Sequence, residues 1–166
     1  MPHATIASIV SASHFSMQRD TLVYCHPVDL PWVPWALPGA EFKLLHADPD
    51  SGRFSLMIRM AAGVEAPMHR HVGAVEGCVL AGGFYYDDQP DVWFGPGCYL
   101  LERAGAVHRP VSPQGAEMFA LYQGPVEGLD AAGNVTGRID CHWHMKAWRL
   151  RTALARRAGA RGDTPA

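Results

Sequence analysis

The chain has 166 residues, enough for one domain with a sizeable core. Apolar residues make up 48%, charged residues 18%, and the formal net charge is -2, which excludes the cationic surplus that nucleic acid or an anionic membrane surface favours. No run reaches the apolar length of a membrane span, and residues 1–20 (MPHATIASIVSASHFSMQRD) lack the basic n-region and apolar block of a secretory signal, so a cytoplasmic location is expected.

Residues 27–40, PVDLPWVPWALPGA, hold four prolines and two tryptophans. Proline withholds a ladder donor, so residues 1–40 are expected to form an irregular arm, anchored by Trp32 and Trp35 on the body or on a partner subunit. A barrel is expected over 41–140. In RFSLMIRMA, Phe54, Leu56, Ile58 and Met60 alternate with Arg53, Ser55, Met57 and Arg59, the pattern of a half-buried strand. PMHRHV, EGCVLAGGFYYD, CYLLE, HRPVS and EMFALYQG follow as further strands, separated by the turn segments AAGV, DDQPD, FGPG, RAGA, SPQG and LDAAGN. Many short strands without intervening helices predict an all-β sandwich or barrel. Residues 141–166 form the expected C-terminal helix and tail. Within HMKAWRLRTALARRAG, Met145, Trp148, Leu154 and Ala155 suggest an apolar face, and Gly159 a C-cap. The arginines there read as a solvated helix face rather than a nucleic-acid tail. Cys25, Cys78, Cys98 and Cys141 are scattered, with no C-x-x-C pair, and read as reduced thiols.

Residues 69–76, HRHVGAVE, carry the chemistry. Successive side chains of a strand point to opposite faces, so His69 and His71 share one. If Gly73 turns the chain, Glu76 opens the next strand and can face the same interior. His108 begins another strand candidate after RAGAV. Imidazoles with one carboxylate form a plausible set for a divalent first-row ion, leaving positions for water, oxygen or substrate. His142 and His144, in DCHWH, raise the question of a second metal site, but their spacing matches no zinc finger, and a strand end or helix entry is the plainer reading.

The stretch GVEAPMHRHVGAVEGCVLAGG has the layout G-x5-H-x-H-x4-E-x6-G, and GCYLLERAGAVHRPVS gives G-x7-G-x2-H. Together they resemble the paired motifs of the cupin superfamily, with Arg103 where proline and Ser112 where asparagine is common. The resemblance implies a double-stranded β-helix (jelly-roll) barrel whose mouth holds one divalent transition metal, and in many members a homodimer.

Glu102, six residues before His108, and the stretch MFALYQGPVEGLDAAGN resemble the three-histidine dioxygenases that cleave β-diketones and hydroxyacetophenones. They also resemble the cupin modules of zinc-binding anti-sigma factors. The first resemblance implies Fe(II), with Zn, Ni or Mn as alternatives, on His69, His71 and His108. Glu102 is then the catalytic group that orients substrate or water, and a small ketone or aromatic molecule reacts with dioxygen. Glu76 would add the fourth ligand of the common cupin set. Phe84, Tyr86, Trp93, Phe119 and Tyr122 are expected to line a pocket or simply to fill the core. A zinc-binding sensor and a metal-assisted isomerase or lyase stay open beside the dioxygenase.

Overall fold

The computed structural model describes residues 25–162, with side chains to residue 154. A 3-10 turn at Pro27–Asp29 leads into β1 (Val33–Pro34), β2 (Ala40–Asp48) and β3 (Arg53–Met60). Then come β4 (Val64–Glu65), β5 (His69–His71), β6 (Val75–Gly82), β7 (Phe84–Tyr86) and β8 (Gln89–Phe94). The last strands are β9 (Tyr99–Glu102), β10 (Val107–His108), β11 (Pro110–Ser112), β12 (Ala116–Tyr122), β13 (Val126–Leu129) and β14 (Val135–Ile139), before helix α1 (Cys141–Gly162). One six-stranded sheet has the order β1-β2-β3-β12-β6-β9, and two four-stranded sheets have the orders β10-β5-β13-β14 and β4-β11-β7-β8. This is the all-β class expected from the sequence. No helix among the described residues is long and apolar enough to cross a membrane.

Alternation builds the core. Phe54, Leu56 and Ile58 of β3 face Phe42 and Leu44 of β2 and Met118, Ala120 and Tyr122 of β12 across the sheet, and all are buried. The outer face of β2 and β3 is partly covered by the arm. The Trp32 ring lies 4.6 Å from Lys43 Nζ and 4.5 Å from Arg59 Cζ, and Lys43 Nζ donates to the Pro27 carbonyl at 2.5 Å. Cations over an indole face explain why Lys43 is tolerated at 7% exposure.

Several segment boundaries differ from the sequence reading. EGCVLAGGFYYD is two strands, β6 and β7, broken at Gly83, and HRPVS is split between β10 and β11, which belong to different sheets. The turn expected over DDQPD shrinks to Asp87–Asp88, with Pro90 inside β8. β8 pairs only with β7, and an edge strand tolerates a residue without an N–H. β14 lies beyond the AAGN turn, where no strand was expected, and its side chains are largely exposed, which hides its period. α1 runs through Gly159 to Gly162 rather than being capped at Gly159. Leu154 is exposed, so the apolar face of α1 is carried by Cys141, Met145 and Trp148, which join the core. The arm reading for residues 1–24 lies outside the described residues.

α1 is fixed by His144, which is fully buried. Its Nδ1 donates to the Asp140 carbonyl at 2.7 Å, and its Nε2 accepts from Trp35 Nε1 at 3.0 Å. That pattern needs the neutral imidazole, and a second proton would set N–H against N–H. His142, two residues away, is exposed on another face of α1, so the pair does not assemble a metal site.

Burial pushes the His144 imidazole down to about 4, against an opposing pull from the Asp140 carbonyl and carboxylate. The folded value lies below the unfolded one, so this stability is present above the ordinary histidine range and lost as pH falls from about 6.5 towards 4. At about 1.4 kcal/mol per pH unit the window carries roughly 3 kcal/mol. Urea unfolding in the presence of chelator, compared between wild type and His144→Phe, should show the wild type losing roughly that much more stability over the window. Parallel curves would remove His144 from the acid sensitivity.

Candidate metal centre

Two short strands bring the histidines together. His69 and His71 lie on the same side of β5, and β10 pairs antiparallel with β5 in a register that sets His108 opposite His69. Arg70, between the two, points away and is held by Glu127 of β13 through contacts of 2.6 and 3.1 Å, in a register that pairs the two residues directly. This outward clamp fixes the strand that carries two of the three histidines. Gly73 lets β5 turn closely into β6, because a Cβ there would stand 2.4 Å from the Gln123 carbonyl oxygen.

His71 Nε2 and His108 Nε2 are 3.0 Å apart, and His108 Nε2 and His69 Nε2 3.1 Å. The ring planes cross at 62° to 81°, so the nitrogens aim at one point from different directions. Two imidazole nitrogens bound at about 2.1 Å to one ion, at right angles, lie about 3 Å apart, so the geometry fits a transition-metal ion. The His69 Nδ1–H donates to the Pro67 carbonyl at 2.9 Å, which leaves its Nε2 lone pair for an ion. His71 Nδ1 is buried without a hydrogen-bond partner. Among the described residues, His69, His71 and His108 are the one group of three or more donors arranged to hold a metal.

Electrostatics keeps these rings neutral. Burial, then the neighbouring His69 and His108, pushes the His71 imidazole down to about 3. Burial and His69 push His108 down to about 3, and burial lowers His69 against the pull of the Pro67 carbonyl. Neutral imidazoles are what a cation requires.

Glu102, at the end of β9, faces the same cluster. Its Oε2 lies 3.1 Å from His71 Nε2 and its Oε1 3.6 Å from His108 Nε2. Tyr86 donates its hydroxyl to Glu102 Oε1 and stacks on His108 at 4.4 Å between ring centroids. Burial raises the Glu102 carboxyl to about 7, opposed by the Tyr86 hydrogen bond. A dication beside it would pull that value down again and favour the carboxylate.

Glu76 is not brought to the cluster. Val75 pairs with Glu102 and points inward, so Glu76, one residue on, pairs with Leu101 and points outward. Its carboxylate accepts from Tyr99 at 2.9 Å and from Gln123 at 3.2 Å. The inward carboxylate is Glu102. Of the aromatic candidates, Phe84 and Tyr122 line the cavity above the cluster, while Trp93 is 45% exposed and Phe119 pairs with Cys78 and Met57 on the outer face. The sequence reading missed Tyr86 as the partner of Glu102, for no local pattern ties residues 16 apart on two sheets.

The cavity measures about 920 Å³ and has the histidines and Glu102 on its wall. Its other lining is mainly apolar, including Ile58, Met60, Met118, Tyr122 and Leu129. Three neutral nitrogens, one carboxylate and an apolar chamber can hold a divalent ion with positions open to a small molecule.

Comparison with solved structures gives the same architecture. A cupin-like protein of unknown function from Ralstonia eutropha JMP134 is 26% identical, with a TM-score of 0.65, over 71% of this chain and 75% of that one. An acetylacetone dioxygenase from Acinetobacter johnsonii is 21% identical, with a TM-score of 0.67, over 82% and 95%. A putative acetylacetone dioxygenase from Methylibium petroleiphilum PM1 is 24% identical, with a TM-score of 0.71, over 78% and 96%. At these identities the last two speak for the fold alone. No curated protein matches in sequence. The family model described as the ChrR cupin-like domain matches residues 20–127, well over half of the sequence, and the chain belongs to that family.

Proposed function

We propose that this protein is a non-haem Fe(II) dioxygenase that cleaves a carbon–carbon bond in a β-diketone or hydroxyketone. The observation that carries the reading is the meeting of three imidazole nitrogens on the wall of a large apolar cavity, His108 Nε2 lying 3.0 Å from His71 Nε2 and 3.1 Å from His69 Nε2, and all three within 4.8 Å of one another. The two acetylacetone dioxygenase structures, one of them putative, share the fold, and the proposed substrate class is taken from the activity they are named for. His69, His71 and His108 would hold the ion, which supplies Lewis acidity and a place for dioxygen.

The other steps belong to the chain itself. Glu102 takes the acidic proton next to the substrate carbonyls, and its position beside His71 and His108 places the resulting enolate at the nitrogens. Tyr86 steadies the carboxylate through its hydroxyl and holds the His108 ring by stacking. The apolar walls exclude water, which strengthens each of these electrostatic contacts. A homodimer acting in the cytoplasm completes the proposal; Leu80, Tyr99 and Leu101, exposed on the outer face of the six-stranded sheet, offer apolar surface for it.

The family match to the ChrR cupin-like domain favours a second reading, a zinc-holding module without turnover. A sugar-acid isomerase would need a more polar chamber than this one. Metal analysis of the purified protein, with oxygen uptake on acetylacetone and 2,4'-dihydroxyacetophenone, separates them. Iron with uptake supports the dioxygenase, whereas zinc without uptake in either the native or the iron-loaded protein overturns it.

Two substitutions test the assigned roles. His108→Ala should bring metal stoichiometry below about a tenth of wild type with the circular dichroism spectrum unchanged, because one ligand is lost from a preformed set. Full stoichiometry in this variant would end the assignment. Glu102→Gln should keep the metal and slow oxygen uptake by about 100-fold or more, as loss of a positioned base does. An unaltered rate would return Glu102 to a purely structural role.

A further inference from the structure

The cavity is far larger than a five-carbon diketone needs. At about 920 Å³ it lies near the top of the range of pockets that enclose drug-sized ligands. It is also long. Tyr122 and Met118 both line it, four residues apart on β12, which is roughly 13 Å of wall at the rise of a strand. Met60 extends it further, since β3 places Met60 opposite Ala116, beyond Met118. Trp35 and Leu37 of the arm and Leu129 of β13 border the same space.

The charge at the cavity lining decides the polarity of what enters. Arg109 is paired with Asp87 at 2.9 Å and reaches Glu65 at 3.8 Å. Arg138 contacts Glu127 at 3.5 Å. Asp130 accepts from the Ala132 and Asn134 amides at 2.9 and 2.8 Å and from Asn134 Nδ2 at 3.0 Å. Each charged carboxylate or guanidinium of the lining therefore already has a partner within the protein, Glu102 having Tyr86. A charged substituent on the substrate would have to compete with these pairs, whereas an apolar one gains by leaving water.

Resting on the dioxygenase reading, we infer that the substrate carries a long or aromatic, uncharged apolar substituent beside its dicarbonyl group. The dicarbonyl end meets the histidines and Glu102. The substituent lies between Tyr122 and Met60, against methionine side chains that adapt to varied shapes.

The test is calorimetric binding to the full chain loaded with zinc, which needs no turnover. The probes are acetylacetone, benzoylacetone, dibenzoylmethane and an anionic 2,4-dioxo acid. Affinity should rise at least tenfold from acetylacetone to dibenzoylmethane, and the anionic probe should gain nothing over acetylacetone. Met60→Trp and, independently, Leu129→Trp should cut dibenzoylmethane affinity at least tenfold more than acetylacetone affinity. Affinity that is flat or falls with size, or tightest binding of the acid, would overturn the inference even if oxygen is consumed. A rising series in a protein that consumes no oxygen when iron-loaded would uphold the apolar cavity while removing the dioxygenase reading.

Discussion

Three imidazole nitrogens held within 4.8 Å of one another inside a protein are a standing electrostatic cost. The Nε2 atoms of His69, His71 and His108 cannot all be satisfied by one another, because a proton placed between two of them leaves the third facing a donor or a bare lone pair. Burial removes water as an alternative partner and depresses the basicity of each ring. The arrangement persists only if the surrounding strands hold it, and a cation would relieve it. The register between β5 and β10 and the Arg70–Glu127 clamp on the opposite side of β5 make that arrangement the one the backbone imposes.

The helix and the arm belong to the same mechanical unit. From the site inward, the His71 ring stands 6.1 Å from Tyr122, Tyr122 stacks on Phe54 at 4.7 Å, and Phe54 stacks on His144 at 4.4 Å. His144 in turn holds Trp35, whose ring borders the cavity. A series of packed rings thus runs from a histidine of the candidate metal centre to the arm at the cavity wall. Ring stacking at these separations resists sliding, since offset faces leave each ring one close-packed seat. The C-terminal helix therefore does more than cover the apolar end of the core. It positions the segment that borders the far part of the chamber.

How much of this was legible in the sequence follows from the physics of each feature. The H-x-H pair could be read, because a strand's period of two fixes relative facing without knowledge of any partner. The third histidine was read as the start of a strand candidate and tied to the pair by resemblance to the cupin motifs, and the carboxylate Glu102 came from resemblance to the three-histidine dioxygenases. Glu76 was misplaced because its facing depends on how many residues the turn at Gly73 consumes, and a slip of one residue exchanges inside for outside. The cross-strand pair Val75–Glu102 settles the parity, and no local pattern reveals that pair. β14 escaped notice because both of its faces are wet, and the Tyr86–Glu102 contact because it joins two sheets. Local periodicity was readable, while register and contacts between sheets were not.

The division of labour among the sheets bears on how such a site diversifies. Two histidines of the candidate centre sit on β5, which among the described residues pairs with β10 and β13, while Ile58, Met60 and Met118 sit on β3 and β12 of another sheet. Exchanging one apolar side chain for another of similar volume on β3 or β12 reshapes the chamber without touching the β5–β10 register, because volume-conserving apolar swaps are the ones a core tolerates best. Glu102 is the bridge, since β9 joins the larger sheet at its edge, next to β6. The histidine cluster and the shape of the chamber thus reside largely on separate hydrogen-bonded units that share one cavity. The first is fixed by exact register, whereas the second needs only apolar side chains of suitable volume.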